Sequence, residues 1–344
     1  MFSVEARPRT DGTNWKLLEV RAVQPGRPRL VSFANQKGGV GKTTTSVNLA
    51  AALALRGHRV LVVDIDPQSN ATTGLGIDHR SLEASTYDLM VDQTPLDAIV
   101  RTTAITGLDC APASPDLAGA EIELVAEDAR EHRLARTLSG AGEGYDVVFL
   151  DCPPSLGLLT VNALAAAQDL VVPVQCEYYA LEGLGQLLDT AERVHAGLNR
   201  ELRIAGFLLT MYDARTRLSS QVADEVRNHF GDFVFDTVVP RSVRLSEAPS
   251  FGEPVLTLDP SSRGALSYRL LAAEFEQRWG LTTHVPAPPP RPDDGSEPAA
   301  GATHVRRPEP VASPGPGGRG YGVTVPLPGD LESAWPPPHP WSDS

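Results

Sequence analysis

A glycine-rich loop constrains the fold of this chain more than any other part of its sequence. It connects an apolar strand candidate to an amphipathic helix candidate and reads Asn35-Gln36-Lys37-Gly38-Gly39-Val40-Gly41-Lys42-Thr43-Thr44. Glycines allow the backbone to fold tightly around a polyphosphate, so that successive N–H groups and the helix N-terminus face the anion. The pattern GxxxxGK[ST] is matched except at its first position, where Gln36 replaces glycine. The loop therefore predicts nucleotide binding, and an ordinary glycine-rich turn is the alternative.

Lysine usage singles out the same loop. The chain has 30 basic residues, but only Lys16, Lys37 and Lys42 are lysines. The loop therefore requires lysine rather than arginine, that is, a compact ammonium on a flexible stem rather than a planar guanidinium. We expect Lys42 to reach the β- and γ-phosphates and the Thr43 hydroxyl to bind Mg²⁺. The alternative for Lys37 is a solvated side chain at the edge of the loop.

Apolar runs alternate with helical patterns over the middle of the chain, which predicts an α/β fold with a doubly wound, mostly parallel sheet and helices on both faces. The strand candidates are Leu30–Ala34, Arg59–Ile65, Leu108–Ala111, Tyr145–Leu150, Leu170–Val174 and Ile204–Thr210. The helix candidates are Lys42–Arg56, Asp116–Leu124, Asp128–Leu138, Leu156–Ala166, Tyr179–Ala196, Leu218–Phe230 and Arg263–Trp279. Functional residues are expected at the carboxyl ends of the strands.

The composition divides the chain into three parts. Residues 1–29 are polar and basic and predict a flexible arm, and residues 30–284 form the expected nucleotide-binding domain. Residues 285–344 are rich in proline and glycine, and such a composition cannot pack a core. We expect this tail to be disordered. The sequence also lacks a run of apolar residues long enough to cross a bilayer, so we expect a cytoplasmic protein.

Several motifs resemble those of one family. KGGVGKTT at 37–44 resembles the deviant Walker A motif of the ParA/MinD family, and VDIDPQSNAT at 63–72 is similar to its second motif. DCPPS at 151–155 is similar to the third, the switch that follows the Walker B strand. LLTMYDART at 208–216 and PRSVRLSEAPS at 240–250 resemble the chromosomal ParA, or Soj, branch. The resemblance covers about residues 30–280 and implies a P-loop ATPase of the deviant Walker type.

The resemblance implies roles for individual residues of the site. The nucleotide would bind Lys37, Gly38, Gly39, Val40, Gly41, Lys42, Thr43 and Thr44, together with Met211, Pro240 and Arg241. Lys37 would cross a dimer interface to the partner's ATP, and Asp66 would orient the attacking water. Asp64 and Asp151 would lie around the Mg²⁺ bound by Thr43, with Asp151 ending an apolar strand as a Walker B acid does. The alternative for Asp64 and Asp66 is a role as helix caps or solvated turn residues.

Arginines predict a DNA-binding surface. Arg215 and Arg217 flank the start of one helix candidate, while Arg241 and Arg244 lie in the PRSVRLSEAPS segment. Clustered arginines bind phosphates in a salt-sensitive, sequence-independent way, and the family's DNA contacts match Arg215 and Arg244. Because the net charge of the chain is −13, binding must come from a local patch. The alternative is that these arginines are solvated or form intramolecular ion pairs.

The resemblance further implies a homodimer when ATP is bound, non-specific binding to double-stranded DNA and a ParB-type partner that stimulates slow ATP hydrolysis. We therefore predict a nucleoid-associated ATPase that segregates a chromosome or plasmid. Positioning of a protein cargo is an alternative. A MinD-like membrane ATPase is disfavoured because the chain ends in WPPPHPWSDS rather than in a basic amphipathic helix. A metabolic ligase or kinase of the same fold also remains open.

Overall fold

The computed structural model describes residues 27–140, 144–177, 181 and 183–282. All of them belong to the first of two units into which the chain divides, Met1–Ala287. The proposed tail at 285–344 and nearly all of the arm at 1–29 lie outside the described residues. The start of the helix candidate Tyr179–Ala196 also lies outside them.

The core of the fold is a seven-stranded sheet. Its strands are β1 (Arg29–Phe33), β2 (Val60–Asp64), β3 (Arg101–Thr102), β4 (Leu108–Ala111), β5 (Val147–Asp151), β6 (Asp169–Gln175) and β7 (Arg203–Thr210). Their order in the sheet is β3-β4-β2-β5-β1-β6-β7, and every neighbouring pair is parallel except β3 with β4. The predicted fold class is confirmed. The sequence analysis missed β3, since two residues are too few to produce an apolar run.

Twelve α-helices accompany this sheet in the described residues. They are α1 (Lys42–Ala54), α2 (Asn70–Gly74), α3 (Thr86–Val91), α4 (Leu96–Ile99), α5 (Leu117–Glu123), α6 (Arg133–Leu138), α7 (Leu158–Ala166), α8 (Leu184–Gly197), α9 (Arg217–Phe230), α10 (Val243–Glu247), α11 (Val255–Leu258) and α12 (Arg263–Trp279). The candidate Asp128–Leu138 was too long at its start. There Ala129 takes a left-handed φ of 50° and a 3₁₀ turn precedes α6.

Two apolar cores lie on the two faces of the sheet. Alternate residues of one strand enter different cores, as Leu61 and Val63 do on one face and Val60 and Val62 on the other. Helices α1 and α12 cover the second face, while α7 and α8 contribute to the first. This double burial explains why the strands read as continuous apolar runs. Cys110, Cys152 and Cys176 lie in these cores as free, buried thiols.

A buried ionic network joins the amino ends of the strands to the end of the last helix. Asp169, at the start of β6, is fully buried. Its carboxylate accepts hydrogen bonds from Arg29, from Nε of Arg203 at 3.0 Å and from Nε1 of Trp279 at 2.6 Å. Three segments distant in sequence therefore depend on one carboxylate.

We expect Asp169→Ala to lower the free energy of unfolding by about 3–5 kcal/mol, because it removes a fully buried carboxylate that accepts hydrogen bonds from Arg29, Arg203 and Trp279. Urea unfolding followed by circular dichroism measures the change. The control is Asp224→Ala on the exposed face of α9, which should change the free energy by less than about 0.5 kcal/mol. A loss below about 1 kcal/mol for Asp169→Ala would show that the network contributes little to stability.

Candidate functional site

The glycine-rich loop lies between β1 and α1, at the carboxyl edge of the sheet. Gly39 and Gly41 have φ angles of 73° and 89°, which residues with a Cβ rarely adopt. The amide of Asn35 donates to the Pro173 carbonyl at 2.8 Å, and the Thr210 hydroxyl donates to the Val40 carbonyl at 2.8 Å. Hydrogen bonds to β6 and β7 thus fix the loop before the start of α1.

Lys42 is the buried cation of this loop. Its side chain is 6% exposed, and Nζ donates to the Lys37 carbonyl at 3.3 Å across the loop. Burial lowers the pKa of Lys42, while the nearby carboxylate of Asp151 acts in the opposite direction. Among the described residues the ammonium has one hydrogen bond, and a phosphate at the loop could replace it with a charge-assisted contact.

Asp151 meets the start of α1 at the end of β5. Its two carboxylate oxygens accept hydrogen bonds from the Thr43 hydroxyl at 2.8 Å and from the Ser46 hydroxyl at 2.9 Å. Burial, and then the charge of Asp64, raises the pKa of Asp151. Hydroxyl and carboxylate oxygens are ligands that Mg²⁺ accepts, and a buried carboxylate gains from a neighbouring cation. These residues therefore fit a magnesium ion bound to Thr43 and Asp151.

Ser46 was missed by the sequence analysis, although a signal for it exists. It follows Thr43 by three residues, so the two hydroxyls lie on the same face of α1. Both of them donate to the same carboxyl group.

The two aspartates that follow β2 have different surroundings. Asp66 is 5% exposed, lines the cavity at the loop and accepts a hydrogen bond from the backbone N–H of Gln68 at 3.0 Å. Asp64 is fully buried, and its carboxylate accepts hydrogen bonds from Thr72 and from the backbone N–H of Asp66. Burial raises its pKa. The structure therefore places Asp66 at the cavity and turns Asp64 toward α2, whereas both were expected around the nucleotide or its metal.

A cavity of about 340 Å³ brings most of the predicted nucleotide residues together. Those residues are Gly38, Gly39, Gly41, Lys42, Thr43, Thr44 and Met211, and Asp66, predicted to orient the attacking water, lines the cavity as well. Ala248, Pro249 and Glu253 also line it and were not predicted as site residues. In the described part of the chain, Pro240 and Arg241 do not line this cavity. They lie beside Tyr212 instead, where Pro240 forms a β-bridge with Tyr212 and the Arg241 N–H donates to the Tyr212 carbonyl at 3.0 Å.

The four predicted DNA-binding or nucleotide-binding arginines outside the loop are all exposed. Three have carboxylate neighbours. Arg215 donates from Nε and Nη2 to both oxygens of Asp213, at 2.9 and 2.8 Å, and this contact lowers the pKa of Asp213 to about 2. Arg244 lies 3.0 Å from Glu247 and 3.3 Å from Asp259, and Arg241 lies 3.5 Å from Glu177. The intramolecular pairs considered as an alternative are thus present.

Such pairs do not prevent these arginines from binding phosphate. The side chain of Arg215 is 87% exposed and that of Arg244 is 57% exposed. An exposed ion pair has a small interaction free energy, because water screens both charges, so a phosphate can displace the carboxylate. Arg217 is exposed as well, and no carboxylate in the described ranges lies within ion-pair distance of it.

Comparison with known proteins places this site in a family. The model of the AAA domain family matches residues 28–204. The sporulation initiation inhibitor protein Soj of Bacillus subtilis is 57% identical over 246 residues, which are 72% of this chain and 97% of Soj. The chromosome partitioning protein ParA of Myxococcus xanthus is 50% identical over 250 residues, 73% of this chain and 88% of that protein.

The chain belongs to the ParA/Soj family. Among solved structures, one described as cobyrinic acid a,c-diamide synthase of Mycobacterium smegmatis with bound ATP analogue and magnesium is similar. Its TM-score is 0.66 with 38% identity, and the match covers 74% of this chain and 97% of the other. This ParA/Soj chain is thus a P-loop ATPase. In the residues that the structure describes, no helix is long and apolar enough to span a membrane.

Proposed function

We propose that this ParA/Soj chain hydrolyses ATP slowly as a dimer, binds duplex DNA without sequence preference while ATP is bound, and segregates a chromosome or plasmid with a ParB-type partner. It would act in the cytoplasm on the nucleoid. The observation that carries the proposal is one cavity lined by Lys42, Thr43 and Asp66 in a chain 57% identical to Soj. Phosphoryl transfer to water needs charge neutralisation and a positioned water, and these residues supply both.

Each residue of the cavity has a distinct task in hydrolysis. Lys42 and the backbone amides of the loop bind the phosphates, and Asp66 orients the attacking water from the end of β2. When bound at Thr43 and Asp151, Mg²⁺ neutralises phosphate charge. Lys37 of the partner subunit adds a positive charge from across the interface. A site completed by a second copy cannot turn over as a monomer, so ATP acts as a switch for dimerisation.

The arginines connect this switch to DNA. An acidic chain gains little from one pair of arginines, but a dimer presents two copies of Arg215, Arg217 and Arg244. Two sets of contacts on one duplex raise affinity through effective concentration. DNA binding should therefore depend on ATP, and it should weaken steeply with salt because phosphate contacts release counterions.

The test is a fluorescence anisotropy titration of two unrelated duplexes with the full chain, in Mg-ATP, Mg-ADP and no nucleotide, at 2 salt concentrations. We expect binding in Mg-ATP with similar affinity for both duplexes. The double variant Arg215→Ala/Arg244→Ala should bind at least about 100-fold more weakly, since each of the two lost hydrogen bonds to a charged group contributes about 1.5–3 kcal/mol. The slope of the logarithm of its binding constant against the logarithm of salt concentration should be flatter by about one unit per lost phosphate contact.

The control for this titration is Arg136→Ala, which removes an exposed positive charge from α6 and should leave DNA affinity unchanged. Equal affinity in all nucleotide states, or no binding at low salt with ATP, would contradict the proposal. Binding by the double variant at the level of the original chain would assign the DNA surface elsewhere.

Two alternatives to segregation are separated by different measurements. Positioning of a protein cargo uses the same DNA-bound dimer, and pull-down with a ParB-type protein distinguishes it from segregation. A metabolic ligase is suggested by the description of the Mycobacterium structure. Such an enzyme has no need for ATP-dependent DNA binding, so the titration separates it from a partitioning ATPase.

A further inference from the structure

Thr72 is the last residue of the VDIDPQSNAT segment and lies buried in α2, between Asp64 and the segment that follows β4. Its hydroxyl donates to Oδ2 of Asp64 at 2.7 Å and accepts a hydrogen bond from the backbone N–H of Ala113 at 2.9 Å. Its own backbone N–H donates to the same Oδ2 at 2.8 Å. Both Thr72 and Asp64 are fully buried, so these hydrogen bonds are shielded from water.

Asp64 transmits this anchoring to Asp66. The other oxygen of Asp64, Oδ1, accepts a hydrogen bond from the backbone N–H of Asp66 at 3.1 Å. The Thr86 hydroxyl of α3 donates to the backbone carbonyl of Asp64 at 2.8 Å, which fixes the backbone of Asp64 as well. The end of β2 is thereby tied to α2, α3 and the segment after β4, next to Asp66, which lines the cavity.

The turn that carries Asp66 needs such an anchor. Ser69, three residues later, has a left-handed φ of 53°, which is unfavourable for a residue other than glycine and persists only where its surroundings impose it. Asp66 closes this turn, because its carboxylate accepts from the Gln68 N–H and its carbonyl accepts from the Ser69 N–H at 2.8 Å. The position of the Asp66 carboxylate is therefore set by bonds that start at Thr72.

We propose that Thr72 is a positioning residue for ATP hydrolysis, holding Asp66 in its water-orienting place through the Asp64 carboxylate. Thr72 does not line the cavity and would touch neither ATP nor water. The proposal also gives Asp64 a different task from metal coordination. It rests on the proposed role of Asp66.

Thr72→Val tests this directly, because it keeps the volume and removes the hydroxyl. It deprives Asp64 of one donor and leaves the Ala113 N–H without its acceptor. We expect the kcat for Mg-ATP hydrolysis by the full chain to fall about 10-fold or more, because a small displacement of a water-orienting group is costly. The KM for ATP should stay within about twofold, since phosphate binding resides in the loop. Thr72→Ser restores the hydroxyl and should restore kcat.

A matched control separates positioning from general damage to the fold. Thr190→Val removes the hydroxyl of another buried threonine, which donates to the Gln186 carbonyl within α8. It should leave both kcat and KM unchanged. Thermal unfolding and binding of a fluorescent ATP analogue should confirm that Thr72→Val is folded. If that variant does not fold, Thr72→Cys, a weaker donor of similar size, replaces it, with a reduced kcat expected.

The outcomes separate this proposal from the one on which it rests. A wild-type kcat in Thr72→Val or Thr72→Cys, with Asp66→Ala inactive, would overturn the positioning role and leave the role of Asp66 intact. An equal loss in kcat and ATP affinity, or failure of Thr72→Ser to restore kcat, would reduce Thr72 to a structural residue. Wild-type hydrolysis by Asp66→Ala would overturn both assignments.

Discussion

Asp66→Ala is expected to stop ATP hydrolysis while ATP still binds. Asp66 lines the cavity from the end of β2 and is 5% exposed, whereas the phosphate-binding groups belong to the loop before α1. A residue that acts only on the attacking water lowers kcat without weakening ground-state binding. We expect a loss of at least about 100-fold in kcat, in the range found for positioned catalytic groups. Phosphate release at saturating Mg-ATP measures it.

The same variant should accumulate as an ATP-bound dimer, because the step that ends the ATP state is blocked. Size-exclusion chromatography in Mg-ATP measures this state. Asp78→Ala is the control, since Asp78 is an exposed aspartate in the turn after α2 and should behave as the original chain. Hydrolysis by Asp66→Ala at the original rate would remove Asp66 from the catalytic residues.

Lys42→Ala is expected to abolish ATP binding. The ammonium is buried, hydrogen-bonded to the Lys37 carbonyl and close enough to Asp151 to be affected by its charge. A phosphate would replace the carbonyl contact with charge-assisted hydrogen bonds, which are about twice as strong as neutral ones. We expect ATP affinity to fall by more than about 100-fold, corresponding to about 3 kcal/mol or more. Titration calorimetry with Mg-ATP measures the change.

Lys37→Ala is the matched comparison for Lys42→Ala. It removes the other lysine of the loop, whose side chain is partly exposed. If Lys37 acts on the ATP of the partner, this variant should bind ATP in a monomer about as well as the original chain and should lose hydrolysis. Strong ATP binding by Lys42→Ala, with a normal thermal unfolding curve, would contradict the assignment of Lys42.

Much of the site was predictable because its signals are local in sequence. Gly39 and Gly41 take left-handed φ angles and Lys42 begins α1 directly after them. The conformation of the loop is therefore determined by residues within the loop. Alternating apolar runs and amphipathic patterns likewise determined the six long strands and their class of sheet. A strand that is buried on both faces has apolar residues at successive positions, so its sequence is a continuous apolar run. A helix is indicated by apolar residues spaced three or four positions apart.

The tertiary structure decided which of the predicted residues meet. β2 and β5 lie side by side, which brings Asp64 next to Asp151, but their carboxylates turn toward Thr72 and Thr43 respectively. Nothing adjacent in sequence distinguishes these two aspartates. Likewise, the carboxylates beside Arg241 and Arg244 include Glu177 and Asp259, which come from distant segments. The sequence determined the elements and the loop chemistry, because both depend on near neighbours. Packing decided the partner of Asp151, because its hydrogen bond with Thr43 joins residues 108 positions apart in different elements.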